Sequence, residues 1–403
     1  MFINRIYESK KIGKKIYLWG LGVQGLACLN KIEQEGIKID GIVDMKAHEI
    51  SRGFAFGYPM MTFEELQNKE NISNVYFLIA VSTYKSIFSI EQTCKNAGLK
   101  EKDDYCYVGN RKMLFVDVSG RCNLKCPSCM VANHTEGSIA YDQRKFMSVE
   151  MFQKVIRKAK KDWQGCECVS LFNFGEPLLN PNIDKMIQII REEKYSSVIS
   201  TNLSVDIDLK KIVKVNPDII KVSLSGYSQK IYETTHTGGD IRLVLSNMYK
   251  LKYYIDKYKS ETKVLVGYHL YNNNREEGKK IKSICEELNF VYQPCEAIYN
   301  NIFKITGKEE FTLQDKEFIS KYYPNPDIYL NNQDYGDATK ECARITDFLF
   351  VDWDGKIILC CQTLHDKCLM GINYLDVSIE EIQEARKNHP VCVWCKENGF
   401  AEL

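Results

Sequence analysis

The sequence predicts an α/β protein, and three observations stand behind that expectation. Strand patterns alternate with helical ones over most of the 403 residues, a glycine-rich turn joins the first strand to the first long helix, and the sixteen cysteines are clustered rather than spread. The expected order along the chain is a doubly wound N-terminal unit over residues 1–106, a partial barrel of strand–helix units over 107–296, a linker or lid over 297–340, and a small cysteine-rich unit over 341–403.

Composition narrows the function. Lys and Arg number 54 against 53 Asp and Glu, so no polyanion partner is indicated and a nucleic-acid role is not expected. No apolar run approaches the roughly 20 residues that span a bilayer. Met1–Lys15 is polar and lysine-rich without an apolar signal core, so a cytoplasmic protein with no membrane partner is expected. In a reducing compartment, clustered thiols point to metal binding or catalysis rather than disulfides.

In the N-terminal unit, Lys15–Trp19 reads as an apolar strand, and Gly20-Leu-Gly22-Val-Gln-Gly25 opens a helix running to about Glu35. A second strand, Ile39–Val43, ends at Asp44, and a third covers Val75–Val81. A glycine triplet between strand and helix, followed by an acid at the end of the next strand, satisfies the dinucleotide fingerprint, with Asp44 placed for a ribose hydroxyl. Three readings stay open: a nucleotide or nucleotide-sugar site, an NAD(P) site, or a docking module with no ligand.

The barrel strands are expected at Leu114–Val118, Val169–Asn173, Val198–Thr201, Ile219–Leu224, Val264–Leu270 and Phe290–Gln293, with helices such as Val149–Lys160 and Ile183–Glu193 between them. Alternation of this kind implies a parallel sheet, here a partial barrel rather than a full eight-fold one. Directly after Val116-Asp-Val-Ser-Gly120 comes Cys122-Asn-Leu-Lys-Cys126-Pro-Ser-Cys129. The loop thus follows the first barrel strand, at the end where barrel enzymes place their chemistry. Four thiolates normally saturate a [4Fe–4S] cluster, and three leave one iron open to an outside ligand. Zinc is the alternative, but zinc ribbons pair Cys-x2-Cys knuckles, and this triple has no fourth thiol nearby.

Further matches follow at the ends of successive strands: Phe174-Gly175-Glu176-Pro177 after the second, Ser200-Thr201-Asn202 after the third and Ser223-Leu-Ser225-Gly226 after the fourth. With the cysteine loop, they make residues 110–296 resemble the radical S-adenosylmethionine (SAM) superfamily. The resemblance implies a [4Fe–4S] cluster on Cys122, Cys126 and Cys129, and SAM held by Gly175, Glu176, Thr201, Asn202 and Ser225. It implies reductive cleavage of SAM to a 5′-deoxyadenosyl radical, with flavodoxin or ferredoxin as electron donor. Two positions depart from the family pattern. Ser128 stands where an aromatic residue often lies near the adenine, and Phe174 stands where a glycine is usual.

The tail carries Cys342-x17-Cys360 and Cys392-Val-Trp-Cys395, with a hairpin expected at Asp354-Gly355. It resembles the twitch domain, the shortened form of the SPASM domain, which holds one auxiliary [4Fe–4S] cluster. Cys342, Cys360, Cys392 and Cys395 are the expected ligands, and Cys361 and Cys368 are spares. Cys361 is expected on the opposite side of a strand from Cys360. Eight residues follow Cys395, which leaves little room for a further cluster. Structural zinc on the same four thiols is the alternative. Four thiolates leave no open iron, so the auxiliary cluster would carry electrons, as in twitch-bearing dehydrogenases that oxidise an aminocyclitol alcohol. A base is then needed, and His134, His236 and His269 are the candidates. Epimerisation needs a hydrogen donor instead, for which Cys295 and Cys361 qualify.

The stretches Gly57-Tyr-Pro59-Met-Met-Thr-Phe-Glu-Glu-Leu66 and Phe77-Leu-Ile-Ala80-Val-Ser-Thr-Tyr84 are similar to the Rossmann-like domains that precede sugar acetyltransferases and some methyltransferases of surface-polysaccharide clusters. That likeness implies a carbohydrate-like substrate, a nucleotide-sugar among the candidates, oxidised or epimerised at a carbinol carbon. Two rival readings are modification of a ribosomally made peptide and a non-enzymatic metal-binding interaction protein.

Overall fold

The computed structural model describes residues 2–81, 83–108, 112–131, 144–299, 301–305, 309–330, 341–362 and 366–400. Strands β1 (Lys15–Trp19), β2 (Gly41–Val43), β3 (Phe54–Ala55), β4 (Tyr58–Met61), β5 (Val75–Ile79) and β6 (Tyr105–Tyr107) form one sheet in the order β3-β4-β2-β1-β5-β6. Every pairing is parallel except β3 with β4. The neighbours of β1, β2 and β5, lie on opposite sides of it, so the glycine turn after β1 falls at the switch point of a doubly wound sheet. Gly20 has φ +100° there, and a Cβ on Gly25 would lie 2.0 Å from the Gly20 carbonyl oxygen, so strand and helix approach closely only because both are glycine.

The second sheet begins with six parallel strands: β7 (Met113–Val116), β8 (Cys168–Ser170), β9 (Ser196–Thr201), β10 (Ile219–Leu224), β11 (Lys263–Leu270) and β12 (Val291–Glu296). Side chains alternate between its faces. Leu114, Val169, Ile199, Val222 and Val266 pack outward against the helices Val149–Asp162, Ile183–Glu192 and Ile241–Tyr258. Met113, Cys168, Val198, Ile219, Leu265 and Val291 face inward at the N-terminal ends of the strands. They share a core with Ile16, Leu26 and Leu29 of the N-terminal unit. That unit therefore fills the bottom of the barrel. Polar ties surround the junction: Asn30 donates to the Asp218 carbonyl at 3.0 Å, Lys263 pairs with Glu33 at 2.5 Å, and Lys31 pairs with Glu167 at 2.8 Å.

The cysteine-rich tail does not stand apart from the barrel. Its strand β13 (Phe348–Val351) pairs in parallel with β7, and β14 (Lys356–Ile358) and β15 (Leu369–Asn373) extend the sheet antiparallel. An edge strand such as β7 offers unpaired backbone groups. Here β13 takes them, with Phe350 stacked on Phe115 at 5.0 Å. The hairpin turns at Asp354-Gly355 as expected, with Gly355 at φ +85°. The stretch read as a linker contains the helices Ile302–Ile305, Leu313–Tyr322 and Asp327–Leu330. Its aromatic side chains, Tyr299, Tyr323 and Tyr329 among them, pack on Tyr271 beyond β11. No helix among the described residues is long and apolar enough to cross a membrane.

Gly25→Ala forces a Cβ into the Gly20 carbonyl, so we expect it to cost about 1–3 kcal/mol of stability by overpacking. Urea denaturation followed by circular dichroism measures this; an unchanged midpoint would show that the turn relaxes freely.

Candidate active site at the carboxyl ends of the barrel strands

The site is organised by Asp117, the residue after β7, which is buried. Its carboxylate accepts the backbone N–H of Gly120 at 3.2 Å and of Phe174 at 3.0 Å, and pairs with Arg144 at 2.5 Å. Arg144, only 2% exposed, also donates to the Gly120 carbonyl at 2.7 Å and to Asp352 at 3.0 Å. Asp352 follows β13, so one guanidinium ties together the cysteine loop, the turn after β8 and the tail. Burial holds the Asp352 carboxyl above its ordinary range even with Arg144 beside it.

The turn after β8 leans on the cysteine loop. A Cβ on Gly175 would lie 2.8 Å from the Gly120 nitrogen and 2.9 Å from that of Arg121, so the approach requires glycine. The Glu176 N–H donates to the Arg121 carbonyl at 2.7 Å. Within the loop, the Leu124 N–H points at the Cys122 sulfur at 3.5 Å, and Cys129 N–H closes on the Cys126 carbonyl at 3.0 Å. Asn202, at the end of β9, donates to Asn123 Oδ1 at 3.0 Å and lies 3.6 Å from the Cys122 sulfur. The Asn202 amide therefore positions the cysteine loop.

Cys122, Cys126 and Cys129 are half-buried neighbours. Burial pushes the Cys122 thiol up to about 11 and the Cys126 thiol higher still, so thiolates form here only with a compensating cation. Among the described residues, no three His, Cys, Asp or Glu side chains already stand in closed metal-binding geometry. The donor set, three sulfurs on one loop, suits an iron–sulfur cluster with an open iron. Glu176 adds a second fit. It is 3% exposed, accepts the Asn202 N–H at 2.8 Å and the Leu178 N–H at 3.0 Å, and has no ion pair among the described residues. Burial pushes its carboxyl up to about 7, with the Thr201 hydroxyl and the two N–H groups pulling the other way. A buried carboxylate without a cationic partner is matched to an incoming ammonium.

Ser225 departs from the sequence expectation. Its side chain is fully buried, and the hydroxyl is bonded to the Thr235 hydroxyl and to His236 Nδ1, the latter at 2.6 Å, rather than turned toward a ligand. The segment it braces carries the Thr237 carbonyl, which accepts the Lys125 N–H at 2.9 Å, so Ser225 supports the cysteine loop from beneath. His236 stacks on Tyr232 with ring centroids 4.8 Å apart, and burial lowers it to about 4. It is a packed neutral residue. His134 lies outside the described residues. His269 faces the barrel interior on β11, paired in register with Cys295 on β12. Burial, with Lys221 and His236 adding to it, holds its imidazole neutral, down to about 3.

The fold brings Cys342, Cys360, Cys392 and Cys395 into one neighbourhood. Cys342 precedes the helix Ala343–Asp347, Cys360 follows β14, and Cys392 and Cys395 sit one turn apart on the helix Pro390–Glu397. The four act on one another electrostatically, and burial pushes Cys392 and Cys395 up to about 12. Cys361 corrects the sequence reading. The strand ends at Ile358, so strand alternation no longer applies, and its thiol bonds to Cys360 and Arg344. Arg386, 1% exposed, donates to the Phe348 carbonyl at 2.6 Å and the Ile358 carbonyl at 2.9 Å, tying the tail's hairpin together. Its only sequence signal is a charge on the apolar stripe of Ile379 and Ile382. In the N-terminal unit, Asp44 spends its carboxylate on the Leu21 N–H at 3.0 Å and the Lys46 N–H at 2.9 Å, bracing the turn that contains Gly20, Gly22 and Gly25.

Residues 116–280, which hold the cysteine loop, Glu176 and Asn202, match the model of the Radical SAM superfamily. This stretch is similar to the domain of that superfamily, and a [4Fe–4S] cluster and SAM are the cofactors that go with it. The chain is 27% identical over 115 residues to a tungsten-containing aldehyde ferredoxin oxidoreductase cofactor-modifying protein of Pyrococcus furiosus, covering 28% of this chain and 30% of that one. It is 29% identical over 142 residues to a GTP 3′,8-cyclase of Clostridium botulinum, covering 34% of this chain and 42% of that one. The chain thus spans less than half the length of these relatives. Among solved structures it is similar to Streptococcus suis SuiB bound to the precursor peptide SuiA, at TM-score 0.49 and 15% identity, covering 79% of this chain and 75% of that one.

Two outcomes follow. Arg144→Met leaves Asp117 buried without its partner and should cost about 3–5 kcal/mol, read from urea denaturation. Glu176→Gln removes a charge-assisted contact worth about 1.5–3 kcal/mol, so SAM affinity by equilibrium dialysis should fall about 10- to 100-fold. Unchanged affinity would place the SAM ammonium elsewhere.

Proposed function

We propose that the protein is a radical SAM oxidoreductase that acts on a carbinol carbon of a carbohydrate-like substrate. The observation that carries this reading is the pairing of an open three-cysteine loop with a second group of four thiols, both anchored to β7. When bound, the first cluster supplies the electron that cleaves SAM to methionine and a 5′-deoxyadenosyl radical. Cys122, Cys126 and Cys129 hold that cluster, and Glu176 receives the SAM ammonium. Gly175 keeps the Glu176 turn against the loop, while Thr201 and Asn202 orient Glu176 and Cys122 respectively.

Oxidation of an alcohol to a ketone removes two electrons and two protons in all. One hydrogen atom would go to the radical that SAM supplies when bound, giving 5′-deoxyadenosine. The hydroxyl proton would go to His269, which faces the interior and whose ring makes no hydrogen bond among the described residues. Cys342, Cys360, Cys392 and Cys395 would hold an auxiliary [4Fe–4S] group, and that group would supply an acceptor for the remaining electron. A flavodoxin or ferredoxin would supply the initiating electron. Cys295, in register with His269, favours epimerisation as the second reading, with its thiol returning a hydrogen atom to the substrate radical.

Anaerobically reconstituted protein should contain about eight iron atoms, two [4Fe–4S] clusters' worth. With dithionite and a panel of sugars and nucleotide-sugars, oxidation should release one 5′-deoxyadenosine per ketone. Deuterium from solvent in an unoxidised product would select epimerisation. Failure to form 5′-deoxyadenosine with any reductant would end the enzyme reading, and tail-bound zinc would remove the electron-accepting step. His269→Gln should lower kcat by about 10²–10⁴-fold if the imidazole takes the proton.

A further inference from the structure

The inner face of β10 to β12 carries Lys221 and Ser223, then Gly267 and His269, then Gln293 and Cys295. Lys221 is half-buried, yet among the described residues its ammonium has neither a hydrogen bond nor an ion pair. Lys263, nearer the bottom of the barrel, shows the contrast, since it is paired with Glu33 at 2.5 Å. Space for Lys221 is kept by Gly267, where a Cβ would lie 3.1 Å from Lys221 Cε.

A second cation arrives from the N-terminal unit. Lys46 leads into the helix Ala47–Ile50, and its backbone N–H is fastened by Asp44. Its ammonium is exposed and has no ion pair among the described residues. The helix Ala47–Ile50 packs against β12, which brings Lys46 to the strand that carries Gln293 and Cys295, and both lysines act on the Cys295 thiol against the effect of its burial. The glycine turn reaches this strand too: a Cβ on Gly22 would lie 3.6 Å from Gln293 Nε2. Among the described residues no carboxylate pairs with either ammonium: Asp44 is spent on backbone N–H groups, Glu296 pairs with Arg275 at 2.7 Å, and Glu49, on the helix that Lys46 leads into, makes no ion pair with either lysine. A lysine withdrawn from water without a counter-ion is costly, and an anionic ligand offsets that cost.

We infer that Lys221 and Lys46 form an anion site across the junction of the glycine-turn unit and the barrel, and that it holds a phosphate or diphosphate group of the substrate. The attached sugar then reaches His269 and Cys295 from below, with SAM above. Lysine suits this role as a point charge for phosphate. The inference deepens the carbohydrate reading by naming a phosphorylated substrate, and it rests on that reading only for what is attached to the anion.

The test is calorimetric binding of inorganic pyrophosphate to the reconstituted enzyme at low salt. The wild type should bind it, with affinity falling as salt rises. Lys221→Met and Lys46→Met should each weaken binding about tenfold, the loss of one charged contact, while Lys221→Arg retains it. Lys46 is exposed, so its variant stays informative if Lys221→Met fails to fold. Equal pyrophosphate affinity in wild type and both methionine variants would overturn the site. So would a Lys221→Met variant that loses SAM affinity instead, because Lys221 would then serve the SAM carboxylate. Pyrophosphate binding without 5′-deoxyadenosine formation would sink the radical reading and leave this site standing. 5′-Deoxyadenosine formed on an unphosphorylated sugar, with no pyrophosphate binding, would do the reverse.

Discussion

The structure turns on one buried charge. Arg144, 2% exposed, lies between Asp117 and Asp352 and also reaches the Gly120 carbonyl. Removing ions from water is expensive, so such a cluster persists only where each group is satisfied on every side. Here Asp117 answers Arg144 and also receives the N–H groups of Gly120 and Phe174. The shape of the cysteine loop, the position of Glu176 and the docking of β13 on β7 are thus consequences of one ionic arrangement. A change at any of the three should be felt at the other two.

The second constraint is the filling of the barrel. An open six-stranded sheet leaves an apolar inner surface at its lower end, and the chain covers it with its own N-terminal unit. The helix Val23–Gln34 faces the barrel with Cys28, Leu29 and Ile32 and ties itself to the rim through Asn30, Lys31 and Glu33. The unit's switch point therefore looks into the barrel rather than outward to solvent. A module whose glycine turn alone says little about function becomes, by its placement, the lower wall of the barrel.

Some of this was legible from spacing. The glycine turn, the triple Cys122, Cys126, Cys129 and the Gly175–Glu176 turn are local patterns, in which a few consecutive residues meet one requirement of backbone or ligand geometry. Other features were not. Ser225 reads as a ligand contact from its place at a strand end, but Thr235 and His236, ten and eleven residues on, claim its hydroxyl. Cys361 was assigned by strand alternation, which stops at Ile358. Arg144 and Arg386 look like ordinary surface charges until their partners, hundreds or tens of residues away, are seen.

By itself the sequence determined the elements and their α/β order and marked the candidate donor residues, because periodicity, turn chemistry and ligand spacing act over a handful of neighbouring residues. Only the tertiary structure decided which elements share a sheet, which polar side chains are already spent, and which charges remain unanswered. Those depend on contacts between distant segments: β13 with β7, Asp44 with Leu21, and Gly22 with Gln293. No local pattern encodes such contacts, since each is settled by which surfaces must be buried and which buried charges must find a partner.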